Sequence, residues 1–113
     1  MKHKQLSLKP GFRPAFVLNG VQAAEMTIEP GDKEGGPDNR HHGADQWLYV
    51  VAGSGVATVE GQATPLKAGA LLVIERGERH EIRATGQRPL KTINIYSPPA
   101  YDADGNTLPP GKK

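Results

Sequence analysis

The chain is 113 residues long, the size of a single domain, with 14 Lys+Arg against 12 Asp+Glu and a formal net charge of +2. Its basic residues are scattered rather than gathered into a stripe, which argues against nucleic acid as a partner. It has no cysteine, so disulfides, thiolate metal sites and cysteine nucleophiles are excluded, and a reducing, cytoplasmic setting is expected.

Taken from the N-terminus, Met1–Pro10 is basic but lacks the apolar core of a secretory signal. No apolar run approaches the length that crosses a membrane, so no membrane partner is expected. Residues 1–14 read as an arm. From there to Pro98, turn signals recur every eight to twelve residues, with short alternating or continuously apolar runs between them. The predicted strands are Ala15–Leu18, Ala23–Ile28, Trp47–Val51, Val56–Val59, Ala63–Leu66, Ala70–Ile74, His80–Ala84 and Leu90–Tyr96.

Gly31–Asn39 is glycine-rich and charged and reads as a loop. No segment offers three turns of helical periodicity, and 14 Gly with 10 Pro suit a chain rich in turns. The expectation is an all-β sandwich or small barrel over residues 15–96. Residues 97–113 form a Pro/Gly-rich tail, expected to lie over the surface or onto a partner subunit. A core of this size is thin, which predicts a homodimer that hides more apolar surface.

Alternation places the chemistry. In His80–Ala84, His80, Ile82 and Ala84 share one face and Glu81 and Arg83 the other, so His80 should point inward. In the strand around Trp47–Val51 an unbroken alternation groups His42, Gln46, Leu48 and Val50. Both of its faces are largely apolar, which predicts cover on both sides. If these strands adjoin, His42, Gln46 and His80 converge inside the barrel mouth, where imidazole and an amide oxygen can hold a divalent ion. On position alone the same histidines read more readily as hydrogen-bonded core or solvated loop residues than as ligands.

Trp47 and Tyr49, opposite Gln46, read as packing or dimer-contact residues. By alternation Asn94 and Tyr96 lie near or inside the barrel, where they could line a ligand pocket, but Asn94 reads more readily as satisfying a turn. Arg40 reads either as lining a ligand pocket or as pairing with Asp38 or Asp45, and Glu75–Arg79 as a solvated loop at the rim.

The stretch from Arg40-His41-His42 through Gln46-Trp47 to Gly53-Ser54-Gly55 resembles the first motif of the cupin superfamily, G-x5-H-x-H-x3,4-E-x6-G. Gly69, Gly77 and His80 in GALLVIERGERH resemble the second, G-x5-P-x-G-x2-H-x3-N. The resemblance spans roughly Glu25 to Tyr96. It implies a small single-domain cupin: a double-stranded β-helix, jelly-roll-like antiparallel barrel with a metal-capable pocket in its mouth.

Several positions depart from the pattern. Gln46 stands where glutamate is usual, Glu75 replaces the proline, and Ala84 replaces the asparagine. Counting back from Gln46 gives either His42 with Arg40 at the first histidine position, or His41 with Asn39. The implied metal ligands are therefore His41, His42, Gln46 and His80, with Arg40 as a ligand-binding residue.

A neutral set of two histidines and a glutamine lacks carboxylate charge. It should bind a divalent transition metal more weakly than the usual site and favour copper, nickel or zinc, with iron and manganese the other options. Two functions follow. One is a metal-dependent dioxygenase, or an isomerase or lyase acting on a small molecule. The other is a non-catalytic module that binds a carbohydrate-like or carboxylate ligand without metal. A plugged barrel serving oligomerisation is a third. No Ser/His/Asp set, phosphate-cradling glycine loop or helical H-E-x-x-H occurs.

Overall fold

The computed structural model describes residues 1–36 and 43–104. Nine strands follow in order: β1 Gly11–Leu18, β2 Val21–Ile28, β3 Lys33–Gly36, β4 Asp45–Ala52, β5 Ser54–Val59, β6 Gln62–Lys67, β7 Leu71–Ile74, β8 His80–Ala84 and β9 Leu90–Ser97. No helix forms among the described residues. The strands make a five-stranded sheet, β1-β2-β9-β4-β7, and a four-stranded sheet, β3-β8-β5-β6, with every ladder antiparallel. The all-β expectation holds.

Two hairpins show how the local sequence dictates the turns. Asn19-Gly20 joins β1 to β2 with φ of 50° and 77°, and Glu60-Gly61 joins β5 to β6 with 49° and 80°. Positive φ at both central residues defines the type I′ turn, whose twist matches that of the flanking strands.

Alternation fills the space between the sheets. Met26, Ile28, Leu48, Val50, Ala57, Leu66, Ile74, Ile82, Ala84 and Leu90 form one buried cluster. Truncating a fully enclosed member such as Leu48 to alanine costs about 2–5 kcal/mol through lost transfer energy and a cavity. A smaller cluster of Ala24, Ala44, Tyr96 and Ala100 packs against Phe12 and Tyr101.

Three expectations need correction. The stretch Gly31–Asn39 is not all loop, because β3 occupies Lys33–Gly36 and pairs with β8. A short edge strand draws its stability from its neighbour, so glycine and charge do not forbid it. Strand β1 starts at Gly11 rather than Ala15. Pro14 is tolerated there because β1 is a sheet edge, and the register shifts between Pro14 and Phe16. Strand β4 is also not covered on both faces. Trp47 and Tyr49 are 46% and 45% exposed, and Val51, Leu71 and Val73 are exposed beside them.

The N-terminal arm lies along the outer face of β2. The Leu8 amide donates to Glu25 at 2.6 Å, Ser7 Oγ donates to it at 3.2 Å, and Thr27 Oγ1 donates to the Leu8 carbonyl. Arg13 Nη2 completes the clamp on Glu25 at 3.1 Å. Burial alone would raise the Glu25 pKa, but the bonds from Arg13, Leu8 and Ser7 outweigh it and hold the carboxyl below its usual 4.5.

Candidate functional site

Gln46 is the second residue of β4. It faces Tyr96 of β9 on one side and Ile74 of β7 on the other. Its side chain is inside the barrel and only 2% exposed. Asn94, two residues before Tyr96, shares that inner face and is fully enclosed. The sequence reading of Asn94 as a turn residue is therefore wrong. The alternation of β9 carries Thr92, Asn94 and Tyr96 into the interior together.

These side chains form a chain of hydrogen bonds with a fixed direction. The Met26 carbonyl can only accept, so Thr92 Oγ1 donates to it at 2.7 Å. The Thr92 oxygen accepts from Asn94 Nδ2 at 3.0 Å, and Asn94 Oδ1 accepts from Gln46 Nε2 at 2.8 Å. One backbone carbonyl thus orients both carboxamides. At the end of the chain, Gln46 Oε1 is a buried acceptor with no hydrogen-bond partner among the described residues. Leaving a buried acceptor unmet costs about 1–3 kcal/mol, so an acceptor at the end of an ordered network calls for a partner.

His80 opens β8 in the opposite sheet. It pairs in register with Gly36 of β3 and Val59 of β5 and is 4% exposed. Its Nδ1 lies 3.2 Å from the Glu78 carbonyl. A carbonyl cannot donate, so Nδ1 carries the proton and the lone pair sits on Nε2. Burial lowers the His80 pKa, against the weaker opposing pull of Glu78, and favours the neutral ring.

The β7–β8 turn brings His80 to the Gln46 end of the barrel. Asp45, next to Gln46, accepts from the Arg76 amide at 2.9 Å, from Arg76 Nε at 3.2 Å and from Arg76 Nη2 at 3.0 Å. Those bonds hold the Asp45 carboxyl below its ordinary range and occupy one of the two acceptors weighed for Arg40.

The structure thus places two of the expected site residues, Gln46 and His80, inside one end of the barrel on facing sheets. His41, His42, Arg40 and Asp38 lie outside the described residues. Among the described residues no group of three or more His, Cys, Asp and Glu side chains comes together. Gln46 Oε1 and a neutral imidazole with its lone pair on Nε2 are nevertheless both donors that suit a late first-row divalent ion.

Other residues at this end were not anticipated. Gln22 is buried at the head of β2, opposite Tyr96. Tyr101, beyond β9, packs its ring 5.1 Å from that of Tyr96 and 4.5 Å from that of Phe12. Burial raises the Tyr96 pKa well above 10.0, and Tyr101 and Glu34 add to the effect. Burial also raises Tyr101. Its hydrogen bond with Tyr96 opposes this shift, and Glu34 reinforces it. The signal for Gln22 was present in the sequence as a polar residue in phase with Ala24, Met26 and Ile28. Nothing local announced Tyr101.

A family model described as Cupin domain matches residues 24–96. An oxalate-binding protein of Thermotoga maritima is 32% identical over 72 residues, covering 64% of this chain and 58% of that protein. The tetracenomycin polyketide synthase protein TcmJ of Streptomyces glaucescens is 33% identical over 71 residues, covering 63% of this chain and 48% of that one. The chain thus spans about half the length of these curated relatives. A protein with a double-stranded β-helix domain from Klebsiella pneumoniae superposes with a TM-score of 0.70 at 17% identity, over 96% of this chain and 90% of that chain. The fold is the double-stranded β-helix.

Proposed function

The chain belongs to the cupin domain family, and on that premise we propose that one end of its barrel is a small-molecule pocket anchored on Gln46. The observation that carries this reading is the buried, unmet Oε1 at the end of a hydrogen-bond chain that cannot reverse. A ligand donor placed there satisfies the acceptor and recovers the cost of its isolation. The neutral His80 supplies a second polar contact from the facing sheet. That the Thermotoga relative is named for binding oxalate supports small-molecule binding as the general role.

A second reading follows from the same atoms. Gln46 Oε1 and His80 Nε2, with His41 or His42, would hold a divalent transition ion, either nickel, zinc, copper, iron or manganese. Such an ion polarises a ligand oxygen, the basis of dioxygenase, isomerase or lyase chemistry. The uncharged donor set favours the first reading, because a carboxylate at position 46 would strengthen the hold on a divalent ion.

The experiment combines elemental analysis of protein purified without chelators with NMR of the Gln46 side-chain amide. Under the first reading the metal-to-protein ratio stays near zero when these ions are added, and small hydroxylated or acidic compounds shift the amide signal. A ratio near one per chain that falls several-fold in His80→Ala establishes the second reading instead.

The exposed apolar face supports a homodimer as the working assembly. Trp47 pairs with Val73 and Tyr49 with Leu71 across β4 and β7, and all four stand outward at one sheet edge. A second copy is the occupant proposed for this face.

A further inference from the structure

Beyond β9 the chain turns back onto the barrel. Gln22 donates from Nε2 to the Tyr101 carbonyl at 2.9 Å and accepts at Oε1 from the amides of Ala100 and Tyr101 at 3.0 and 3.1 Å. One buried carboxamide thus satisfies three backbone groups of the strap, fixes its position and buries Ala100. The strap sets the Tyr101 ring against Tyr96 and Phe12. The two phenols are hydrogen-bonded to each other. Tyr96 is the direct cross-strand neighbour of Gln46, so this aromatic wall adjoins the unmet Oε1.

Arg76 and Arg79 at this rim are engaged in ion pairs with Asp45 and Glu60. Glu34 on β3 lies opposite Ile82 of β8, on the face shared with Gly36 and His80, and its charge reaches both phenols. Among the described residues around Gln46, the polar groups include its own amide oxygen, the neutral His80 imidazole, two protonated phenols and the Glu34 carboxylate. A carboxylate ligand would set acceptor against acceptor at Gln46, and the Glu34 charge would add like-charge repulsion. A hydroxyl donates to Gln46 Oε1 at no such cost, and the flat face of a ring packs on the tyrosines.

We propose that this pocket selects neutral, hydroxyl-bearing ring compounds over dicarboxylates, and that Tyr101 on the Gln22-pinned strap is a specificity-determining residue. The inference rests on the reading of Gln46 as the anchor and names the ligand class for it.

The test is an NMR titration of the full-length, chelator-treated protein with catechol, D-glucose and oxalate, read at the Gln46 side-chain amide. Catechol or glucose shifts that signal, and oxalate at equal concentration leaves it in place. Tyr101→Phe keeps the ring packing, lowers the melting temperature by no more than a few degrees through the lost bond to Tyr96, and weakens the hydroxylated probe several-fold. Glu34→Gln, a change at an exposed residue, brings the oxalate response closer to that of catechol.

Oxalate moving Gln46 while both hydroxylated probes leave it alone overturns the selectivity and leaves the pocket standing. Silence from all three probes removes the pocket and the selectivity together. A Tyr101→Phe protein that binds like the wild type removes the role given to Tyr101.

Discussion

Arg76 grips Asp45 through its backbone amide and two guanidinium nitrogens, and so ties the β7–β8 turn to the head of β4. Gln46 follows Asp45 directly and His80 follows the turn, so one ion pair sets the relative position of two candidate site residues on facing sheets. Both partners are about a third exposed. Solvent therefore screens the pair, and its value lies more in alignment than in stability.

Arg76→Ala is expected to lower the melting temperature by no more than a few degrees. It should broaden or shift the His80 ring and Gln46 amide signals in NMR spectra. A variant with unchanged His80 and Gln46 signals would show that the turn is positioned without the pair.

Thr92→Val keeps the shape of the side chain but removes the hydroxyl that orients the interior amides. Asn94 then loses its acceptor, and the Met26 carbonyl loses its side-chain donor. The expected loss of stability is about 1–3 kcal/mol by denaturant unfolding. The same variant should halve or worse the response of Gln46 to any bound probe, since Asn94 is then free to turn over. A stable Thr92→Val protein with native Gln46 behaviour would count against the directional chain.

The Glu25 clamp gives the arm an acid limit. The folded-state pKa of Glu25 is below the 4.5 of the free group, so its contribution is fully present above about pH 4.5 and is lost as pH falls through the lower folded value. Hydrogen exchange at the Leu8 amide should quicken across that acidic window before the barrel unfolds. In Glu25→Gln the exchange should be fast at all pH values and the acid step gone. Glu25→Ala removes the acceptor of three part-buried bonds and should cost about 0.5–1.5 kcal/mol.

The outward face of β4 and β7 gives the assembly prediction. Trp47→Glu places a charge in the middle of the exposed apolar patch and should convert a dimer to a monomer in sedimentation velocity without loss of secondary structure. Wild-type protein that sediments as a monomer at the same concentration would remove the dimer from the proposal.

Most of the strand framework was legible because the core obeys a period of two. His80–Ala84 was placed with its observed bounds, and the inward side of Gln46, Leu48 and Val50 followed from alternation. The motif glycines have a steric cause that sequence could only hint at. A Cβ on Gly55 would run into the Arg83 carbonyl and the Leu90 side chain, and one on Gly53 into the Pro89 carbonyl.

What the sequence hid was tertiary. β3 exists because β8 offers it a ladder, Glu25 is buried because the arm crosses it, and Tyr101 reaches the barrel because Gln22 holds the backbone on either side of it. Asn94 was misread although its alternation with Thr92 and Tyr96 was in plain view. A polar residue deep in a strand was weighed as local punctuation rather than as one link in a network.

Strand β2 receives both terminal segments: the arm through Glu25 and Thr27 on its outer side, and the strap through Gln22 within the barrel. If the molecule were pulled from the arm and the strap together, the load would converge on this one strand. The clamps at Glu25 and Gln22 would take the tension before the ladders joining β2 to β1 and β9 did. Mechanically, β2 is the beam to which both loose lines are tied, and the Gln46 end would open first when the Gln22 line slips.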